Sequence, residues 1–261
     1  MKSKKFKSNI INTLNKTKYF VGNLFHLNYI PVIAYHWFSI SRKDTDNRWV
    51  ASIDEFEKQI IWLKKRKYHF VNCNEFINWF ERKLVLPKKS VLLTFDDGEV
   101  SQLKLAAPIL KKYGAIGICF VVGKFFNSEA RFGSVSKGED SIEHFSKDEY
   151  DESPCKDALE LGSHTYDLHY RFENVTASNI CDNQTIYNDF LKMKFFGFDA
   201  FASPYGDNGP YFDSIILDFH RIGFSINNSV RLYANRKNNP QRINRIMVDG
   251  DCDLREFKKI F

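Results

Sequence analysis

The run Ser90-Val-Leu-Leu-Thr-Phe95 sets the strongest limit on the fold, because it is apolar at almost every position and ends on two adjacent carboxylates, Asp96 and Asp97, followed by Gly98. A strand with no polar face is buried on both sides, as in parallel sheets covered by helices. The rest of the chain agrees. Strand-length apolar runs alternate with helical patterns, the signature of an α/β domain with a largely parallel sheet. Expected strands are Ile30–Tyr35, His69–Cys73, Ser90–Phe95, Ile116–Val122 and Leu159–Ser163, with others near Ala200–Ser203, Phe224–Asn227 and Ile243–Val248. Spacing predicts helices over Ile53–Lys65 and Asn74–Arg82, then over Ser101–Tyr113 with Gly114 at its end, and over Ser146–Ala158. Ser52 with Glu55, and Ser146 with Glu149, have capping-box spacing. The polar stretch Gly123–Phe145 reads as an irregular insertion. Roughly seven or eight β/α alternations result, which suit either a closed barrel or an open doubly wound sheet.

Length allows one large domain, since 261 residues are few for two full ones. Hydrophobic residues make up 43% of the chain, well above the disordered class. Lys and Arg total 38 against 32 Asp and Glu, and the net charge of +6 is spread out, so no nucleic-acid partner is expected. No stretch approaches ~20 consecutive apolar residues, so no spanning helix is expected. The cysteines at 73, 119, 155, 181 and 252 form no CxxC pair; this odd, scattered set reads as free thiols.

Residues 1–29 read as a basic extension ahead of a single domain over 30–261. The extension starts like a secretory signal but lacks the apolar core of roughly 7–15 residues and the small-residue cleavage site that a signal needs. That favours the cytoplasm or the membrane periphery, with the cell surface as the alternative. A peripheral contact would use a surface helix with Phe20, Val21, Leu24 and Phe25 on one side and Lys on the other.

Three groupings carry chemistry. In Thr94-Phe95-Asp96-Asp97-Gly98, two neighbouring carboxylates at a buried strand end are costly unless a cation sits beside them. A metal would serve, with one Asp as ligand and the other free as a base; the alternative is a turn in which Asp96 caps the next helix. In Ser163-His164-Thr165-Tyr166-Asp167-Leu168-His169, the two His are five apart, which on a helix would point them about 140° from each other. In a loop they can converge, and two imidazoles with one carboxylate leave open positions on a metal. Phe201-Ala202-Ser203-Pro204-Tyr205-Gly206 is a tight turn that could present the Tyr205 backbone N–H to a ligand, although a plain turn explains it equally well.

Together and in this order, these segments resemble the polysaccharide deacetylase family, also called the NodB-homology family or carbohydrate esterase family 4. The spacing HTYDLH, in place of the commoner HTxxH, is similar to the branch that de-N-acetylates poly-β-1,6-N-acetylglucosamine. So are Ile30-Pro-Val-Ile-Ala-Tyr-His36 and the lead-in Ser52–Gly98. The resemblance spans about residues 30 to 250. It implies a distorted, incomplete (β/α) barrel with its site at the C-terminal ends of the strands. It further implies that Asp97, His164 and His169 hold a divalent metal, zinc or another first-row ion. Asp96 would be the general base that activates metal-bound water, His36 the general acid for the leaving amine, and the Tyr205 N–H an oxyanion donor. Pro204, which shapes that turn, would belong with Tyr205 to the substrate-binding set. The implied substrate is a glycan containing N-acetylhexosamine. In the common form of the third motif an Arg stands two residues before the Pro, where this chain has Ala202, and no C-terminal Leu-x-His is present. Both absences are similar to the same branch.

Trp37 and Tyr166 lie beside these groups, and their rings suit the apolar face of a sugar. His26, His69, His144 and His220 have no such context and read as structural or solvated. The leading expectation is a metal-dependent de-N-acetylase. The alternatives are an O-acetyl polysaccharide esterase and a catalytically inactive glycan-binding relative.

Overall fold

The computed structural model describes residues 17, 29–40, 47–128, 132–133, 141–207, 209–226 and 233–261. Residues 1–16 and 18–28 of the N-terminal extension, with the surface helix expected at Phe20–Phe25 and with His26, lie outside the described residues, as do 129–131 and 134–140 of the insertion. Among the described residues, no helix is long and apolar enough to cross a membrane. No disulfide joins the five cysteines.

Seven parallel strands close on themselves: β1 Val32–Tyr35, β2 Ser90–Asp97, β3 Gly117–Val121, β4 Leu159–Ser163, β5 Ala200–Ala202, β6 Ile222–Ile226 and β7 Ile243–Met247. They follow one another around the barrel in chain order. Closure comes where β7 meets β1, with Ile246 opposite Ile33 and Met247 opposite Ala34. Of the two architectures the alternation allows, the barrel forms, one strand short of a complete (β/α)₈ cylinder.

The period of two along each strand sorts the side chains. Val32, Leu92, Ile118, Phe120, Ala200, Ala202, Ile222, Phe224 and Ile243 point inward and share one cluster. Helix α1, Ile53–Lys65, and helix α2, Cys73–Phe80, play different parts. From α2, Phe76, Ile77 and Trp79 join the inward cluster, with Phe76 5.5 Å from Phe224. The helix follows directly on His69–Phe70, which pairs with Ser90–Val91 at the start of β2, so α2 lies toward the N-terminal end of the barrel. From α1, Phe56, Ile60 and Leu63 cover the outward residues Ile33, Tyr35, Leu93 and Phe95. Each such side chain stabilises the fold by about 1.5–3 kcal/mol on burial. Helix α3, Ala107–Tyr113, covers the same layer and ends at Gly114 in the left-handed conformation, as its sequence position requires.

Four local expectations change. The strand expected over His69–Cys73 is only His69–Phe70, because Asn72 and Glu75 form a reciprocal cap that starts α2 at Cys73. Glu55 does not complete a capping box on α1; its Oε2 accepts the Leu254 N–H at 3.0 Å and so ties the C-terminal segment down. The helix expected over Ser146–Ala158 stops at Glu152, because Pro154 holds Ser153 extended, and a single 3₁₀ turn follows at Lys156–Ala158. The first part of the helix expected over Ser101–Tyr113 is a π-turn, Gln102–Ala106. Such turns are often found beside functional groups.

Candidate active site

Every strand that carries an expected site residue delivers it at the same open end. His36 follows β1, Asp96 and Asp97 end β2, His164 follows β4, and Tyr205 follows β5. With Trp37 and His169 they line one cavity of about 100 Å³. Tyr166 and Pro204 are not in its wall. The Tyr166 ring packs where a Cβ on Gly123 would stand, 2.7 Å away, and the Lys192 ammonium lies 5.0 Å from its centroid. Pro204 is buried behind the Tyr205 turn. In their place Trp49, whose ring centroid is 4.6 Å from that of His36, and Arg171 join the wall, with Gly206, Ile226 and Met247.

Asp97, His164 and His169 offer ligand atoms that all lie within 4.8 Å of one another. The two imidazole Nε2 atoms approach Asp97 Oδ1 at 3.6 and 3.2 Å. That oxygen is buried and has no hydrogen-bond partner. Each ligand is aimed by its surroundings. His164 Nδ1 donates to the Ala202 carbonyl at 2.7 Å, which leaves its Nε2 lone pair facing the centre. Trp37 Nε1 donates to Asp97 Oδ2 at 2.9 Å. The Asp97 carbonyl accepts from His144 Nδ1 at 3.0 Å, and Asp97 itself has φ +80. A non-glycine residue holds that conformation only where its neighbours enforce it. Trp37→Phe keeps the ring and removes the donor; it should weaken metal binding about 10–100-fold, as read by titration against a chelator, and an unchanged affinity would show that the bond does not orient Asp97.

The electrostatics separate the two carboxylates. Asp96 is paired with Arg245 of β7 through two bonds, Nη1 to Oδ1 at 2.6 Å and Nη2 to Oδ2 at 2.7 Å. Burial pushes the Asp96 carboxyl up, but the guanidinium, with His164 and His36, holds it below the usual carboxylate range. The Arg245 side chain is 1% exposed, bonds also to Thr94 Oγ1 at 3.3 Å, and lies 5.4 Å from the Phe120 ring centroid. Asp97 has no guanidinium. Burial drives the His164 imidazole down to about 4, so it is neutral at pH 7. Burial likewise lowers His36. A buried carboxylate facing imidazole lone pairs, with one oxygen unpartnered, is a donor set that suits a divalent cation.

Three supporting residues escaped the sequence reading. Arg245 is one; a charge inside the apolar run Ile243–Met247 was its signal, since a buried cation needs a partner. Gln102 is another. Its Nε2 donates to the His36 carbonyl at 2.8 Å and also to the Asp96 carbonyl, joining the ends of β1 and β2 from the π-turn. The third, Asp189, lies outside the cavity. Gly206 was foreseen only as part of a turn. It has φ +69, and a Cβ there would stand 2.5 Å from Ile226 Cβ, so the Tyr205 turn is pressed against β6. Tyr205 is itself left-handed at φ +60, and the Arg171 guanidinium sits 3.9 Å from its ring centroid. Of the histidines read as structural or solvated, His69 bonds Glu75 and His220 donates to the Phe198 carbonyl, whereas His144 bonds the Asp97 carbonyl beside the site.

Comparison with known proteins agrees with this geometry. The poly-beta-1,6-N-acetyl-D-glucosamine N-deacetylase of Staphylococcus aureus (strain MSSA476) is 29% identical over 186 residues, 69% of this chain and 61% of that protein. The chain thus spans about three-fifths of the length of that relative. Among solved structures, IcaB from Ammonifex degensii superposes with a TM-score of 0.70 at 24% identity, covering 89% of this chain and 95% of its own. A de-N-acetylase from Aggregatibacter actinomycetemcomitans superposes with a TM-score of 0.73 at 18% identity, covering 90% of this chain and 100% of its own. These two share the fold. The sequence profile described as Polysaccharide deacetylase matches residues 83–223, which include both aspartates, both loop histidines and the Tyr205 turn but neither His36 nor Arg245. With that span matched and those groups gathered at one barrel mouth, the chain belongs to the polysaccharide deacetylase family.

Proposed function

We propose that this chain is a metal-dependent hydrolase that removes N-acetyl groups from N-acetylhexosamine units of a bacterial-type surface polysaccharide or its precursor. One observation carries the reading: a group of three possible metal ligands, Asp97, His164 and His169, shares one cavity with the Asp96 carboxylate and the His36 imidazole. The name of the Staphylococcus aureus relative supports the choice of an N-acetylglucosamine polymer.

Held by Asp97, His164 and His169, a zinc or other first-row ion would supply Lewis-acid chemistry, polarising a carbonyl and making water acidic near neutral pH. The remaining steps fall to the protein. Asp96 takes a proton from the attacking water, using a lone pair that the guanidinium leaves unused; a carboxylate has about four acceptor sites and Arg245 occupies two. His36 gives a proton to the amide nitrogen as the C–N bond breaks, so the sugar leaves as an amine and not as an amide anion. The Tyr205 N–H donates to the carbonyl oxygen as negative charge gathers there. Over one turnover, the proton collected by Asp96 replaces the one lost from His36. Water and the acetamido group go in; acetate and the protonated amine come out. Trp37 and Trp49 offer ring surface beside the reacting group, where the apolar face of a sugar can rest.

The test is metal content together with acetate and free-amine release on an N-acetylglucosamine oligomer. The expected result is about one ion per chain, as the one three-ligand set among the described residues requires, with acetate and amine appearing in equal amounts. Acetate without new amine from an O-acetylated glycan would move the reading to an esterase. A protein that takes up no metal after reconstitution would overturn it.

A further inference from the structure

Both metal-set histidines ride on one loop, residues 164–169, and the tip of that loop is held from two sides. Thr165 has φ +71, a conformation that a non-glycine residue keeps only under constraint. On one side, the N–H groups of Gly123 and Lys124 donate to the carbonyls of Thr165 and Tyr166 at 3.0 and 2.9 Å. On the other side stands helix α4, Asn183–Lys194. Its Asp189 accepts the Tyr166 N–H on Oδ1 and the Asp167 N–H on Oδ2, each at 2.7 Å.

The position of Asp189 is unusual for a carboxylate. It shares the buried face of α4 with Ile186, Phe190 and Met193 and is 6% exposed. A charge on an apolar stripe is costly unless it is paired or fully hydrogen-bonded. Burial pushes its carboxyl up to about 6, and the two amides pull it back. The nearby charges are Asp167, which pairs with Lys124, and Lys192 on α4 itself. Asp189 does not line the cavity. Neither oxygen faces substrate, and both are spent on the backbone of the loop.

We propose that Asp189 is a positioning residue that fixes the 164–169 loop from behind, so that His164 and His169 face Asp97 before any ion arrives. The inference rests on the metal-site reading above. A ligand pair carried on a loop gains affinity when the loop is already ordered, because the ordering is then not charged against binding. A second hydrogen-bonded layer of this kind is worth about 10–100-fold in metal affinity.

The experiment titrates Zn²⁺ into chelator-stripped protein for the wild type, Asp189→Asn, Asp189→Ala and the packing control Phe190→Leu, with a melting curve for each. Asn turns an N–H donor toward one of the loop amides, so it breaks half of the clamp at nearly constant volume. The expected result is a loss of Zn²⁺ affinity of about 10–100-fold in both Asp189 variants, with Phe190→Leu unchanged in affinity at an equal or larger fall in Tm. The visible bands of Co²⁺-loaded protein, which report ligand geometry, should change in Asp189→Asn and not in Phe190→Leu. Wild-type affinity in Asp189→Asn, or an equal loss in Phe190→Leu, would overturn the inference while leaving the metal site standing. A wild type that binds no Zn²⁺ would overturn both.

Discussion

Asp97→Ala should lose divalent-metal binding, and its acetate release should fall below about 10⁻³ of wild type, since an ion would supply several kcal/mol of charge stabilisation and each 1.36 kcal/mol is tenfold in rate. The geometry gives the reason. Asp97 is the only anionic member of the ligand set, and both imidazole Nε2 atoms approach its Oδ1. Alanine leaves two neutral donors with no charge to hold a cation. The fold should survive, because the interior cluster and the helices that cover the barrel do not depend on this carboxylate. The measurement is metal content and acetate release on the folded variant, side by side with its melting curve. Retained metal at wild-type stoichiometry would remove Asp97 from the ligand set.

The second large effect separates chemistry from binding. Asp96→Asn should keep the metal and lose turnover by about 10²–10⁴-fold, the range for one general base. It should also lose stability. Arg245 would remain buried with no counter-charge, and removing one partner of a buried ion pair costs about 3–5 kcal/mol. Asp96→Asn combined with Arg245→Met should recover much of that stability, because an apolar side chain tolerates the interior, yet recover no activity. Metal content, rate and Tm of the single and double variants check all three statements. If the double variant regained turnover, Asp96 would not be the base. If Asp96→Asn lost metal as Asp97→Ala does, the two roles would need to be exchanged.

Much of this was legible along the chain, for physical reasons that differ by residue. The run Ser90–Phe95 read as a buried strand, and the two carboxylates at its end suggested a cation beside them, although a plain strand–turn junction was the alternative. The start of α1 was also readable, because Ser52 caps it. The resemblance supplied the assignment of His36, which composition and spacing alone would have left as one histidine among seven. What escaped was whatever depends on contacts distant in sequence. Arg245 and Asp96 stand 149 residues apart and meet only because the barrel closes. Asp189 sits at helical spacing among apolar residues, and only the fold reveals that two loop amides face it. Tyr166 was judged by its place in a segment, but the amide bonds that hold its backbone turn the ring away from the cavity. Pro154 was the local signal that went unread, and it shortened the helix expected over Ser146–Ala158.

The pairing of Asp96 with Arg245 has a consequence for how such a site can drift over evolutionary time. The side chains of Ala202 on β5 and Arg245 on β7 both enter the same interior. What a base at Asp96 would require is one positive charge at one point in space, and a closed cylinder offers that point to several strands at once. The cation can therefore change its address in the sequence without changing its address in the molecule. Loss of an arginine from one segment is then no sign of a failing enzyme so long as another strand has gained one.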